Sequence, residues 1–455
     1  MNLQGIDSQT LGSTKFLGEF VGNSYKAGLT TPRMNDATAR KVRKYAERKL
    51  EESQALEVFQ ALDITTVIGL RHTQIELGEP LGKGSFSEVY SIKSFRKLSN
   101  IQTKLIPNQY VVKLLLPSLL KKPQNLGKRA ADLAKEGLLL ASLQHEHILS
   151  VRAWTPTMLS GFQFTGRGDS FFLVLPRLHG TLDQRLEQWS KQSKLMNFNV
   201  ISRGSKKTAF LKERLEVAQA IADGLKYLHE GRIIHRDLKP ANIGFDAKGV
   251  LKIFDFDSAR VLPEIALVDH TSTFQLTQKV GSVRYMSPEC GLGKQYNRKA
   301  DVYSMGLLLY ELLSLEKPYQ DIKAHSHVHA VFAIGSRPIV PDSWPPIIAK
   351  LMQECWSAEL EERPDMEEVH LRISHQVMLL DQGGETPASA SNDGKKGWGW
   401  PFSNKDQAPP PSPMSSTRRS MKFGASFGAS TPHLSAGGSR KKVVQLDKSV
   451  SDIPL

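Results

Sequence analysis

His235-Arg236-Asp237-Leu238-Lys239-Pro240-Ala241-Asn242, followed thirteen residues after Asn242 by Asp255-Phe256-Asp257, decides the reading of this chain. The two strings place two carboxylates, an amide and a lysine on short loops at the ends of apolar strands. Phosphoryl transfer needs that set. One carboxylate receives the proton of an attacking hydroxyl, while an amide and a second carboxylate hold metal ions against a triphosphate. Asp237 and Asp255 are the candidate carboxylates, Asn242 the amide and Lys239 the cation.

Upstream, Gly82-Lys83-Gly84-Ser85-Phe86-Ser87-Glu88-Val89 lies between two strand-like runs. Glycines let the backbone come close to phosphate oxygens, and free amides can donate to them. The same spacing also serves hairpins that bind nothing. Lys113 ends the apolar run Tyr110-Val111-Val112. It reads either as edge decoration of a strand or as a cation that clamps phosphates. The second role needs a carboxylate to hold it. Glu136 is the natural partner, because on a helix Glu136 and Leu140 share a face.

The rest of the chain arranges itself around these motifs. Residues 1 to about 33 are rich in Gly, Ser and Thr without a period and read as flexible. Residues 36–62 read as a helix with a loose apolar face of Tyr45, Ala46, Leu50, Leu56, Phe59 and Leu62, packed on the neighbouring domain or docking a partner. Strand-like runs follow at Ile75–Leu81, Val89–Ile92, Tyr110–Leu115, Ile148–Trp154 and Phe171–Leu175, interrupted by a helix over 129–143. After Leu211 the pattern turns helical, with Leu215, Ala218, Ala222, Leu225 and Leu228 on one face and a nearly all-apolar Asp301–Ser314. A strand-rich piece followed by a helix-rich piece predicts an α+β chain of two lobes with a ligand cleft between them. Residues 189–211 read as a polar, basic insertion that recognises substrates. From 379 to 455 Gly, Ser and Pro dominate, with basic clusters at Arg418-Arg419 and Arg440-Lys441-Lys442, which predicts a disordered basic tail.

The composition excludes several classes. At 455 residues and 40% hydrophobic content there is room for a proper core. Two cysteines, Cys290 and Cys355, imply no disulfide framework and a reducing compartment, cytoplasmic or nuclear. No apolar run approaches a membrane span, and Asp7 and Glu19 argue against a signal peptide. The net charge of +14 is scattered rather than striped with aromatics, so a soluble basic protein is expected rather than a nucleic-acid binder.

In their order and gaps these motifs resemble the eukaryotic protein-kinase family over about residues 75–378, between a 1–74 N-terminus with one helix and the tail. The resemblance implies a small β-rich N-lobe and a larger helical C-lobe. It implies ATP and Mg²⁺ as cofactors and protein substrates as partners. Position by position, it implies that Leu81, Gly82, Gly84, Val89, Lys113 and Glu136 bind nucleotide. Asp237 then orients the substrate hydroxyl, Lys239 neutralises the transferring phosphoryl, and Asn242 and Asp255 hold metal. His235 and Phe256 are implied to stack with Leu140, Asp301 to cap the catalytic loop, and Arg363 to pair with Glu289. Lys239 and the Gly281-Ser282 pair resemble the Ser/Thr-directed enzymes, and Cys355-Trp356 with Asp301-Val302-Tyr303-Ser304-Met305-Gly306 the tyrosine-kinase-like branch among them. Asp257 stands where the pattern has glycine. The expectation is therefore an active Ser/Thr protein kinase, with a nucleotide-binding, pseudokinase-like scaffold as the alternative. Regulatory partners are expected through residues 36–62 and the tail. Ser258, Thr271, Ser272, Thr273 and Thr277 are candidates for phosphorylation opposite Arg236.

Overall fold

The computed structural model describes residues 33–60, 67–98, 105–198, 203–267, 271–278 and 280–382. The expected disorder of the tail and of the first residues lies outside them.

Helix α1 (Asp36–Glu51) starts where Asn35 accepts a hydrogen bond from the Thr38 amide at 2.8 Å. Asp36 lies in its first turn and Arg48 and Lys49 in its last, the signs that the helix dipole favours. The expected single helix ends at Glu51, and the turn after it carries Gln54 at a left-handed φ of 58°. A second helix, α2 (Ala55–Gln60), follows the turn.

Six strands make one sheet: β1 (Ile68–Gly69), β2 (Ile75–Lys83), β3 (Ser87–Phe95), β4 (Tyr110–Leu115), β5 (Ala153–Trp154) and β6 (Phe172–Pro176). They run in the order β1-β5-β6-β4-β3-β2. The expected strand Ile148–Trp154 shrinks to β5, and Ile148 makes only an isolated bridge to Ile253. Strand alternation places the key lysine. In β4, Val112 and Leu114 enter a small core with Ile92, Phe172 and Val174, while Val111 and Leu115 face the larger one. Lys113 shares the parity of Val111 and Leu115, so it points at α3 (Pro123–Ser142), which lies on that face.

Below the sheet the chain is mainly helical. It includes α5 (Leu182–Phe198), α6 (Arg203–Glu230), α7 (Pro288–Gly291), α8 (Lys299–Ser314), α9 (Ala324–His327), α10 (Pro346–Cys355) and α11 (Met366–Asp381), whereas α4 (Gly161–Thr165), between β5 and β6, packs on α1. The short strands β7 (Ile233–Ile234), β8 (Ile243–Phe245), β9 (Leu251–Ile253) and β10 (Arg260–Val261) pair as β7 with β10 and β8 with β9. α8 is buried along almost its whole length, as its apolar run requires. The segment read as an insertion over 189–211 is instead mostly the end of α5 and the start of α6. Trp189 and Phe210 are buried there, with ring centroids 6.4 Å apart. Apolar contact between two helices outweighs the polar average of the stretch. The α+β, two-lobed architecture is the one the patterning called for.

Candidate active site

The His235–Asn242 loop runs between β7 and β8 and hangs from one buried carboxylate. Asp301 accepts from the amides of His235 and Arg236, both at 2.8 Å, and lies 3.0 Å from His229 Nε2. Burial alone would raise its pKa, but His229, His235 and these donors outweigh that and lower it. The anchored loop lets Arg236 take a left-handed φ of 67°. The Arg236 guanidinium donates to the carbonyl of Ser258 at 2.7 Å and to the Tyr296 hydroxyl at 2.9 Å.

Asp237 is the centre of a bonded group. Its Oδ2 accepts from Lys239 Nζ at 2.8 Å and from Asn242 Nδ2 at 3.0 Å. Its Oδ1 accepts from the Ser282 amide at 2.8 Å, and Lys239 also donates to Ser282 Oγ at 2.7 Å. Ser282 reaches this place because Gly281 has φ 95°, and a Cβ there would stand 2.2 Å from the Arg236 carbonyl oxygen. The sequence marked Gly281-Ser282 only as a class signature, and its closure over Asp237 is a tertiary fact.

Above this loop, Lys113 Nζ lies 2.6 Å from Glu136, 3.0 Å from Asp255 and 3.4 Å from Asp257. Carboxylate oxygens of those three residues come within 4.8 Å of one another. Burial acts to lower the pKa of Lys113, yet the three carboxylates outweigh it and hold the ammonium well above the ordinary lysine range. Burial, with the two aspartates, raises the Glu136 carboxyl, while Lys113 keeps Asp257 below its usual value against its own burial. Asp255 has φ 65° and Phe256 is fully buried, its ring 5.1 Å from that of His235 at 72°. Leu140 is buried in the same core.

Asp257 has no left-handed backbone. It sits in the 3₁₀ turn Phe256–Ser258 and is absent from the residues with positive φ. The glycine of the pattern is therefore not needed here for its backbone angles. The inward turn of the Asp257 side chain onto Lys113 and the reach of Lys135 Nζ to the Asp257 carbonyl, at 2.6 Å, were not legible in the sequence.

The Gly82–Val89 stretch forms the β2–β3 hairpin. The Gly84 amide donates to the Ser87 carbonyl at 2.8 Å, and Val89 pairs in register with Lys113. A Cβ at Gly82 would meet nothing within 4 Å, so the hairpin surface stays open to a ligand. Leu81 is exposed beside it. Arg129 of α3 stacks over Phe86 at the tip, 3.2 Å from the ring centroid. Lower in the helical part, Arg363 grips both oxygens of buried Glu289, at 2.7 and 2.8 Å.

A strand-rich lobe and a helical lobe with a lysine–glutamate pair above an aspartate-centred loop define the architecture of a protein phosphotransferase. Residues 75–373 match the model of the protein tyrosine and serine/threonine kinase family, and the chain belongs to that family. Its members use ATP and a divalent metal. The chain is 29% identical over 306 residues to a probable serine/threonine-protein kinase of Dictyostelium discoideum, covering 67% of the chain and 20% of that protein. It is 34% identical over 176 residues to a serine/threonine-protein kinase of Arabidopsis thaliana, covering 39% of the chain and 29% of that protein. A second Arabidopsis serine/threonine-protein kinase is 36% identical over 155 residues, which is 34% of the chain and 26% of the relative. The chain thus spans less than a third of the length of each of these relatives. Among the described residues no helix is long and apolar enough to cross a membrane.

Proposed function

We propose that this chain is a catalytically competent Ser/Thr protein kinase that uses ATP with Mg²⁺ and phosphorylates protein hydroxyls. The observation that carries the reading is the Lys113–Glu136 pair at 2.6 Å with Asp255 on the same ammonium, next in the chain to Phe254, whose amide donates to the Asn242 carbonyl at 3.0 Å in the bonded Asp237–Lys239–Asn242 group. Carboxylate oxygens of Glu136, Asp255 and Asp257 lie within 4.8 Å of one another, an oxygen-donor set of the kind a hard divalent cation takes. The residues present therefore fit a metal–nucleotide. Asn242 and Asp255 would hold the metal, which when bound supplies charge neutralisation between phosphates.

The chain's own groups do the rest. Lys113, fixed by Glu136, meets the phosphates, and the open hairpin at Gly82, Gly84 and Val89 covers them. Asp237 accepts the hydrogen of the substrate hydroxyl, orients it and takes the proton as the hydroxyl attacks. Lys239 stands 2.8 Å from Asp237 and offsets negative charge on the transferring group. Ser282, bonded to both, ties the end of the segment after Asp255 to the catalytic loop. The catalytic unit spans about residues 75–378, and the two buried free thiols suit a reducing cytoplasm or nucleus.

The test is transfer of labelled phosphate from ATP to a generic Ser/Thr substrate by wild type and Asp237→Asn. Wild type is expected to transfer. Asp237→Asn loses about a hundredfold to ten-thousandfold in kcat with its nucleotide affinity retained. A silent wild type that still binds nucleotide would establish the scaffold reading instead.

A further inference from the structure

Lys135 carries no role in the reading above, yet its surroundings are unusual for a lysine. Only 6% of it is exposed. Burial lowers its ammonium to a pKa of about 8, with Asp132 and Asp257 opposing the fall. Its Nζ donates at 2.6 Å to the backbone carbonyl of Asp257. Successive residues of a helix point about 100° apart. Glu136 thus turns to Lys113 and Lys135 to the turn that follows Asp255. Asp257 completes the arrangement with its side chain, whose Oδ1 lies 3.4 Å from Lys113 Nζ. The Phe256–Ser258 turn is therefore pinned from α3 through Lys135 and from β4 through Lys113. Asp255, one residue before that turn, holds a left-handed φ of 65°, a region that aspartate enters more readily than most residues.

We propose that Lys135 and Asp257 are positioning residues that latch the Asp255 turn to α3, so that the Lys113–Glu136 pair and the placement of Asp255 form and break as one unit. The aspartate in the glycine position is then a part of the device and not damage to it. The proposal deepens the kinase reading and rests on it for its catalytic consequence, but the latch itself is a property of the free protein.

The experiment therefore has two arms on the full chain, with wild type, Lys135→Met, Lys135→Arg, Asp257→Gly and the Lys135→Met/Asp257→Gly double variant. The first arm is amide hydrogen exchange without nucleotide. The latch predicts that exchange in residues 254–260 rises about tenfold in both single loss variants, the weight of one buried charged hydrogen bond, while α8 stays protected. The second arm is kinetics. Lys135→Met and Asp257→Gly each lose about tenfold in kcat, with the KM for protein substrate unchanged and more Mg²⁺ needed for half-maximal rate. Lys135→Arg restores most of the rate, and the double variant is no worse than the poorer single, because both act on one unit. Unchanged exchange over 254–260 overturns the proposal, as does a multiplicative loss in the double variant or a gain of activity in Asp257→Gly. A wild type without transfer would remove the kinase reading alone, and the exchange arm would still decide the latch.

Discussion

At the scale of single residues, the charges that matter are buried and their environments set their behaviour. Arg363 and Glu289 are both nearly inaccessible and bond through two nitrogens and two oxygens, the geometry in which a buried pair offsets its desolvation. Glu311 of α8 lacks such a cation. It accepts from the Tyr285 hydroxyl at 2.5 Å, and burial pushes its carboxyl up from 4.5 to about 7, with Asp183 adding to the rise. The folded pKa is thus above the unfolded one. The stability tied to Glu311 is complete below 4.5 and is lost as the pH climbs through about 7. The loss amounts to about 3 kcal/mol at alkaline pH. Glu311→Gln keeps an acceptor for Tyr285 and has nothing to ionise. In urea unfolding at about pH 4.5 and about pH 9, wild type loses more stability on the alkaline side than the variant does. Parallel losses in the two proteins would refute the assignment. Of these residues, Asp237, Asn242, Lys113, Glu136 and Asp255 could be picked out from the sequence by type and spacing. Lys135, the inward turn of Asp257 and the Ser282 bridge could not, because a lysine on a helix and a serine in a loop have no periodic signature.

At the scale of elements, the N-terminal helix is packed into the kinase domain. Ala39, Val42, Ala46 and Leu50 of α1 are buried, and α1 packs along α3. A Cβ at Gly127 would stand 3.0 Å from the Tyr45 ring and 3.2 Å from the Val42 carbonyl, so glycine lets the two helices approach. Further bonds tie this segment down: Met34 N to the Gly166 carbonyl at 2.7 Å, Arg43 to Gln163 at 3.0 Å, and Arg260 to the Glu52 carbonyl at 2.7 Å. The last joins the end of α1 to β10, just past the Asp255 turn. A partner reaching α1 would therefore meet its polar side, since its apolar side is taken. Ala46→Glu forces a charge into the interface with α3, expected to cost about 3 kcal/mol and to lower phosphotransfer through displacement of Glu136. Unfolding midpoints and initial rates read both effects, and wild-type values for both would show that α1 is dispensable. The period of three and four that marked a helix from residue 36 was legible as far as residue 51, while residues 61–62 of that stretch lie outside the described ones. The break at Gln54 was not, since a glutamine seldom takes φ 58° unless its neighbours enforce it.

At the scale of the whole molecule, packing runs past the ends of the motif-bearing stretch. β1 pairs with β5 upstream of residue 75, Leu70 is fully buried in the small core, and α11 continues to Asp381 against α6. A chain cut to 75–378 therefore leaves apolar faces of α3 and the sheet open. It is expected to melt roughly 10 °C below a chain cut to 33–382, the consequence of a few kcal/mol spread over some three hundred residues. Equal melting temperatures by calorimetry would place residues 33–74 outside the folding unit.

The order of motifs, the alternation that aims Lys113 at α3 and the apolar run of α8 were determined by the sequence alone, because period and residue type are local properties of the chain. Only the tertiary structure decided that 189–211 continues two helices, that one strand of the expected sheet is almost absent, and that Asp257 and Lys135 close on the same turn. The last of these depends on contacts between residues more than a hundred positions apart, Lys113 with Asp255 and Lys135 with Asp257, and the first on a contact between two helices, Trp189 with Phe210, none of which local period or residue type reveals.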